Sequence, residues 1–277
     1  MSEDVPASPA TNEEEQEALL IGTRDGARIL TLNRPQRLNA LTPELHQILR
    51  EALVSAAADT SVGAVVLTGA GRAFCSGGDV SRATEQAKSP ETVEERADLS
   101  RLAATSALLL NRMPKPTIAL INGAAVGAGL SLALACDLRF ASRDAVLRTA
   151  YAPIALSGDL GISYFLTRLV GPARARELMF LNDKLSGEDA LRLGLVNRLF
   201  DTDEFQSAAF EIVRSVAHGP GIALRYMKQN LLLAETASLE QVIEREAYNM
   251  ARCVRTQDAK EASIAFREKR TPDFRRR

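Results

Sequence analysis

Three glycines, Gly123, Gly127 and Gly129, fall within seven residues of one another. An apolar run, Thr117 to Ile121, precedes them, and a second, Leu130 to Cys136, follows without a charge until Asp137. A strand that feeds a glycine-rich turn and then an apolar helix leaves free backbone N–H groups at a buried helix start. Such an end stabilises negative charge, either a bound anion or an oxyanion formed during reaction. The small residues Ala124, Ala125 and Ala128 let a ligand approach the backbone, although the same residues also suit plain helix–strand packing. A second glycine pair, Gly77-Gly78, lies between Ser76 and Asp79. It permits unusual backbone angles and could aim further N–H groups inward, or simply form a tight turn in which Asp79 caps the next segment.

Two more specific motifs match this turn incompletely. A dinucleotide fingerprint needs a third glycine or alanine where Leu132 stands. A nucleophile elbow needs a glycine where Ala133 follows Gly129-Leu130-Ser131-Leu132. The order Ser131, Asp159, His218 imitates a hydrolase triad, yet His218 sits in Ala-His-Gly-Pro-Gly, which reads as a helix end. Asp159, the middle member of that order, lies in Leu156-Ser157-Gly158-Asp159-Leu160-Gly161. It also suits an N-cap for a helix beginning near Ile162.

The elements that must hold these residues alternate along the chain. Residues 18–22 and 27–32 read as strands joined by the hairpin signal Arg24-Asp25-Gly26. Thr42 followed by Pro43 opens a helix to about Ala58, and Ala64 to Leu67 is a buried strand. Residues 81–98 are polar and read as a flap or solvated helix, before helical periodicity returns from Leu99 to Leu110. Helices are expected over 161–170 and 173–181, broken at Gly171-Pro172. Ser186 caps a short helix ending at Gly194, residues 195–200 form a strand, and helices follow at about 203–217, 220–234, 238–254 and 257–270.

The chain has 277 residues, 46% hydrophobic and 25% charged, with a net charge of −1. That balance supports a sizeable core and gives no support to nucleic acid or a membrane surface as partner. The cysteines Cys75, Cys136 and Cys253 lack metal-ligand spacing and read as reduced thiols in a cytoplasmic protein, with no metal. The acidic start is unlike a signal peptide and is expected to be a disordered tail over residues 1–17.

Three stretches, NRPQRLNAL, VVLTGAGRAFCSGGDV and INGAAVGAGLSLALACDLRFAS, together resemble successive signatures of the crotonase, or enoyl-CoA hydratase/isomerase, superfamily. The likeness continues through SGDLGISYFLTRLVG to AFREKRTPDF and spans roughly residues 18–274. It implies an α/β fold, a spiral of β-β-α units over 18–200, followed by a C-terminal α-helical oligomerisation region over 201–277. It also implies a homotrimer or dimer of trimers and an acyl-CoA substrate, with coenzyme A as part of the substrate and no separate cofactor. By motif position the backbone N–H groups of Ser76 and Ala128 would form the oxyanion hole. Arg37, Leu38, Ser76, Gly77, Gly78, Asp79 and Ala128 would line the substrate and CoA site. Basic residues of the tail, such as Arg267 and Lys269, could approach the CoA of a neighbouring subunit or merely solubilise the end.

The two glutamates of the family's hydratases are replaced by Ser131 and Tyr151, neither of which is a carboxylate at neutral pH. Asp159 matches a catalytic aspartate of some isomerase and dehalogenase members. In an apolar pocket, lost hydration would make it a better base. Enolate-based isomerisation with one aspartate is therefore expected ahead of two-acid hydration. The rivals are a non-catalytic acyl-CoA-binding protein and, more remotely, a serine hydrolase.

Overall fold

The computed structural model describes residues 17–79 and 91–275. The acidic tail and most of the polar stretch from residue 81 lie outside the described residues. The chain begins with the expected hairpin, β1 (Leu19–Arg24) and β2 (Ala27–Leu32), antiparallel with Arg24 opposite Ala27. Helix α1 (Pro43–Ala58) starts where Thr42 and Pro43 place it, the Thr42 hydroxyl accepting the Leu45 N–H at 3.2 Å.

From there the chain repeats one pattern. A strand enters a large sheet, a short strand enters a smaller sheet, and a helix returns. The first two turns are β3 (Ala64–Gly69), β4 (Ala73–Cys75) and α2 (Val93–Arg112), then β5 (Thr117–Ile121), β6 (Ala124–Val126) and α3 (Ala128–Ala135). The third is β7 (Leu138–Ser142), β8 (Val146–Arg148) and α4 (Ile162–Leu181). After β9 (Leu185–Ser186) and α5 (Gly187–Arg192), β10 (Arg198–Phe200) closes the large sheet.

The larger sheet runs β1-β2-β3-β5-β7-β10 and the smaller β4-β6-β8-β9, parallel except at β1/β2 and β8/β9. This is the β-β-α spiral expected from the motifs.

One reading of the sequence changes here. The glycine-rich turn does not follow β5 directly, because Ala124–Val126 forms β6 and pairs with β4 and β8. Of the two alternatives for residues 81–98, the solvated helix holds over 93–98, which run on into 99–110 as one helix opened by Thr92 and Glu95 in a capping box. The break expected at Gly171-Pro172 is present as a kink inside α4, with Gly171 at φ 77°.

Alternation along the strands of the larger sheet divides its two faces. Val65, Leu67, Ala119 and Ile121 point into the main core with α1 and α3, whereas Val66, Ile118, Leu120 and Phe140 pack against α6 (Phe205–Ala217). Helices α7 (Gly221–Ala234), α8 (Leu239–Cys253) and α9 (Gln257–Glu268) follow. Lys228 of α7 is anchored in the body, its Nζ donating to Asp137 at 2.8 Å and to the Leu110 and Lys115 carbonyls at 3.1 Å. Among the described residues no helix is long and apolar enough to cross a membrane.

Candidate active site

Helix α3 is buried at every position and begins from Gly127, whose φ of 53° and ψ of −125° suit glycine rather than a residue with a Cβ. Gly129 serves packing: a Cβ there would stand 2.3 Å from the Cys75 carbonyl oxygen. Both readings of the glycines therefore hold, at different positions. Opposite this turn lies Gly77, with φ 95°. A Cβ on it would stand 3.0 Å from the Val126 carbonyl oxygen and 3.4 Å from the Ala128 nitrogen. The two glycine turns are thus in contact, and any substituent between them would cover the start of α3.

Which amides remain available follows from the hydrogen bonds. Ala128 is the first residue of α3, a position whose N–H has no intrahelical acceptor. The Ser76 N–H, expected as the second oxyanion donor, instead donates to the Leu38 carbonyl at 3.0 Å. That bond ties Ser76 to the loop after β2 and removes its amide from the site. The Gly77 N–H lies against the Cys75 sulfur. Burial pushes the Cys75 thiol up to about 12, and the thiol donates to the Asn39 carbonyl. Gly78 forms a single parallel bridge with Leu41, made by Leu41 N–H to Gly77 O and Asp79 N–H to Leu41 O. Neither bond uses the amide of Gly78, which faces the other side of the strand.

Asp159 is held by the two residues that stand where glutamates were expected. The Tyr151 hydroxyl donates to Asp159 Oδ1 at 2.7 Å and lies 3.1 Å from Ser131 Oγ. Ser131 Oγ also reaches the carbonyls of Gly127 and Asp159, both at 3.3 Å. A continuous polar chain therefore runs from the turn that starts α3 to the carboxylate. Burial, and secondarily the charge of Asp159, pushes the Tyr151 phenol above its ordinary range, so it acts as a neutral donor.

The capping role considered for Asp159 is not what its side chain does. The N-cap of α4 is Gly161, with no side-chain cap, and only the Asp159 backbone carbonyl contacts Ile162 N–H. Its side chain lies at the exposed rim of the chain rather than in the dry pocket expected from sequence. The hydrolase triad does not assemble. His218 ends α6, exposed, with its Nδ1 on the Arg214 carbonyl, and Ser131 is bonded to Tyr151 instead.

Arg37 ends a short 3-10 turn (Pro35–Arg37) and is exposed, while Leu38 follows at φ 50°. Asn39, fully buried, pins this loop by donating to the Ala70 and Ala73 carbonyls at 2.9 and 2.8 Å. Asp79 turns its carboxylate to Arg34 at 3.2 Å, so it stitches the two loops together.

The family model described as Enoyl-CoA hydratase/isomerase matches residues 22–277. The chain belongs to that family. It is 34% identical to the 1,2-epoxyphenylacetyl-CoA isomerase of Escherichia coli K12 over 93% of this chain and 98% of that protein. It is also 34% identical to a 4-chlorobenzoyl coenzyme A dehalogenase-2 from an Arthrobacter species, over 88% of each chain. Among solved structures, an enoyl-CoA hydratase from Polaromonas sp. JS666 superposes with a TM-score of 0.87 at 32% identity, covering 92% of this chain and 99% of that one.

Relatives named for three different reactions leave the choice of chemistry to the side chains present in this family member. One residue near those side chains drew no attention in sequence. His46, one turn into α1, has a buried Nδ1 without a hydrogen-bond partner among the described residues. Burial lowers its pKa, and the charge of Asp159 opposes that shift. The available signal was its place beside Leu45 and Leu49 on the buried stripe of α1.

Proposed function

We propose that this protein acts on acyl-CoA thioesters through an enolate, with Asp159 as the group that removes and returns a proton. The observation that carries this reading is the Ser131–Tyr151–Asp159 chain. It presents a single carboxylate, oriented by a neutral phenol, beside the turn that starts α3. The thioester oxygen would accept the Ala128 N–H and, in place of Ser76, the Gly78 N–H. Two fixed donors meet the negative charge as it forms, which makes the adjacent carbon acidic enough for a carboxylate to deprotonate.

A carboxylate that takes a proton from one carbon and returns it to another shifts a double bond. Hydration by two acids needs a second carboxylate, and neither the Ser131 hydroxyl nor the Tyr151 phenol can serve as one. Isomerisation is therefore the favoured reaction. Names among the relatives that include an epoxyphenylacetyl-CoA isomerase support an acyl-CoA substrate. Arg37 could lay its aliphatic stem along the adenine and offer its guanidinium to a phosphate.

Asp159→Asn tests the reading, because the amide keeps the size and removes the base. Proton exchange at the substrate α or γ carbon, followed by NMR in deuterated water across a panel of enoyl-CoA thioesters, should fall by about a hundredfold or more. Binding of the same panel should be retained. Exchange as fast in Asp159→Asn as in the parent would refute Asp159 as the shuttle. Binding without exchange in either protein would favour a non-catalytic acyl-CoA carrier.

A further inference from the structure

Tyr151 follows a residue whose backbone is out of character. Ala150 has φ 58°, in the left-handed region that a residue with a Cβ seldom occupies. Such a conformation persists only where surrounding contacts over-determine it, and it is found where a functional side chain has to be aimed. The bond that holds Ala150 comes from the far end of α4.

Asn182 closes that helix, itself buried and at φ 59°. Its side-chain Oδ1 accepts the Ala150 N–H at 2.6 Å. Its carbonyl accepts from Arg148 Nε at 3.0 Å, and the Thr149 hydroxyl donates to the Leu178 carbonyl at 2.8 Å. Residues 148–150 are thus fastened to the last turn of α4. The Arg148 carbonyl also accepts the Gly127 N–H at 3.0 Å, so the same segment lies against the turn that starts α3.

Helix α4 reaches this segment because it bends at Gly171. Its second half returns to the loop that carries Asp159: a Cβ on Gly158 would stand 3.3 Å from Met179 and 3.9 Å from the Tyr151 ring. The loop from β8 to α4 is therefore held at its start by Asn182 and closed across its middle by the Tyr151 phenol on Asp159, at 2.7 Å.

We propose that Asn182 is a positioning residue for the Tyr151–Asp159 pair: by accepting the Ala150 N–H it fixes the left-handed turn that aims the phenol at the carboxylate. The inference rests on the reading of Asp159 as the proton shuttle. Ending the helix does not by itself call for asparagine, since glycine supplies a left-handed helix end at least as well. What glycine lacks is the acceptor. Without that acceptor the bond opposing relaxation of Ala150 is gone, and the direction of Tyr151 goes with it.

Asn182→Gly separates the two roles, because it keeps the helix end and removes only the side-chain oxygen. The chain has four tyrosines, so carbon-13 at the hydroxyl-bearing ring carbon gives a sparse NMR spectrum, and the signal missing from Tyr151→Phe belongs to Tyr151. In Asn182→Gly that signal should move while those of Tyr164, Tyr226 and Tyr248 stay. An unmoved Tyr151 signal would overturn the proposal, whatever happens to turnover.

The second measurement is substrate proton exchange. Asn182→Gly should lower its rate by about ten- to a hundredfold, the scale of a small misplacement of a catalytic group, with acyl-CoA affinity little changed. In a Tyr151→Phe background no phenol remains to be aimed, and the same substitution should cost less than about threefold. An equal loss in both backgrounds would show a general loosening of the fold and count against the positioning role. Failure of the shuttle reading is seen separately: no exchange in the parent, with the Tyr151 signal still moved in Asn182→Gly, would refute the shuttle and uphold the aiming of the phenol.

Discussion

The Ala128 N–H is the part of the proposed site that can be removed most cleanly. Ala128 occupies the first position of α3, where proline is favoured in helices because its fixed φ suits the turn and its missing N–H breaks no helical bond. Ala128→Pro thus deletes one of two proposed oxyanion donors while leaving the remaining helix ladder intact. Proline Cδ would take the place of the amide hydrogen. The neighbour it meets is Gly77, which has no side chain to obstruct it.

Loss of one such donor raises the barrier by about 2.7–4 kcal/mol. At about 1.36 kcal/mol per factor of ten, that is roughly a hundred- to a thousandfold in rate. The assay is the same exchange of substrate protons for deuterium, set beside acyl-CoA affinity and the melting temperature. Affinity should change much less than rate, since the donor acts mainly on charge that develops after binding. A variant that melts with the parent and exchanges protons at the parental rate would refute the assignment of this amide.

Lys228→Met removes the cation from a buried pair and should destabilise the fold by about 3–5 kcal/mol at neutral pH, measured by urea unfolding. Burial holds the Asp137 carboxyl above the usual carboxylate range even with Lys228 present. A raised folded pKa contributes stability below the unfolded value and loses it as pH rises, and removing Lys228 widens that window. The deficit of Lys228→Met should therefore shrink on acidification from pH 8 toward the carboxylate range; an equal deficit throughout would show that losing Lys228 leaves the protonation of Asp137 unchanged. The C-terminal helices expose Leu231, Leu239, Met250 and Phe266, the last at 85%; together with the assembly that the crotonase resemblance implies, we propose a trimer or dimer of trimers, to be read by light scattering. A monodisperse monomer at micromolar concentration would refute it.

Much of the fold was legible in the chain because its signals are local. Thr42-Pro43 marks a helix start, Asp25-Gly26 turns a hairpin, and Gly171-Pro172 breaks a helix whatever surrounds them. The spacing of Gly123, Gly127 and Gly129 likewise announced a backbone approached closely at a buried helix start. Strand β6 escaped notice because Ala124–Val126 is three small residues long and becomes a strand only by pairing with β4 and β8.

Amide availability was a tertiary matter from the outset. Whether Ser76 or Gly78 offers its N–H depends on Leu38 and Leu41, which lie far back in sequence and claim the first and bridge past the second. Ser131, Tyr151 and Asp159 could be named singly from their positions in the motifs. Their union into one hydrogen-bonded chain needed the segment between β8 and α4, which carries both Tyr151 and Asp159, to pack on Ser131 of α3. Residue type and local spacing set which groups the protein has, and the packing of distant turns decides which of their polar atoms are left free to act.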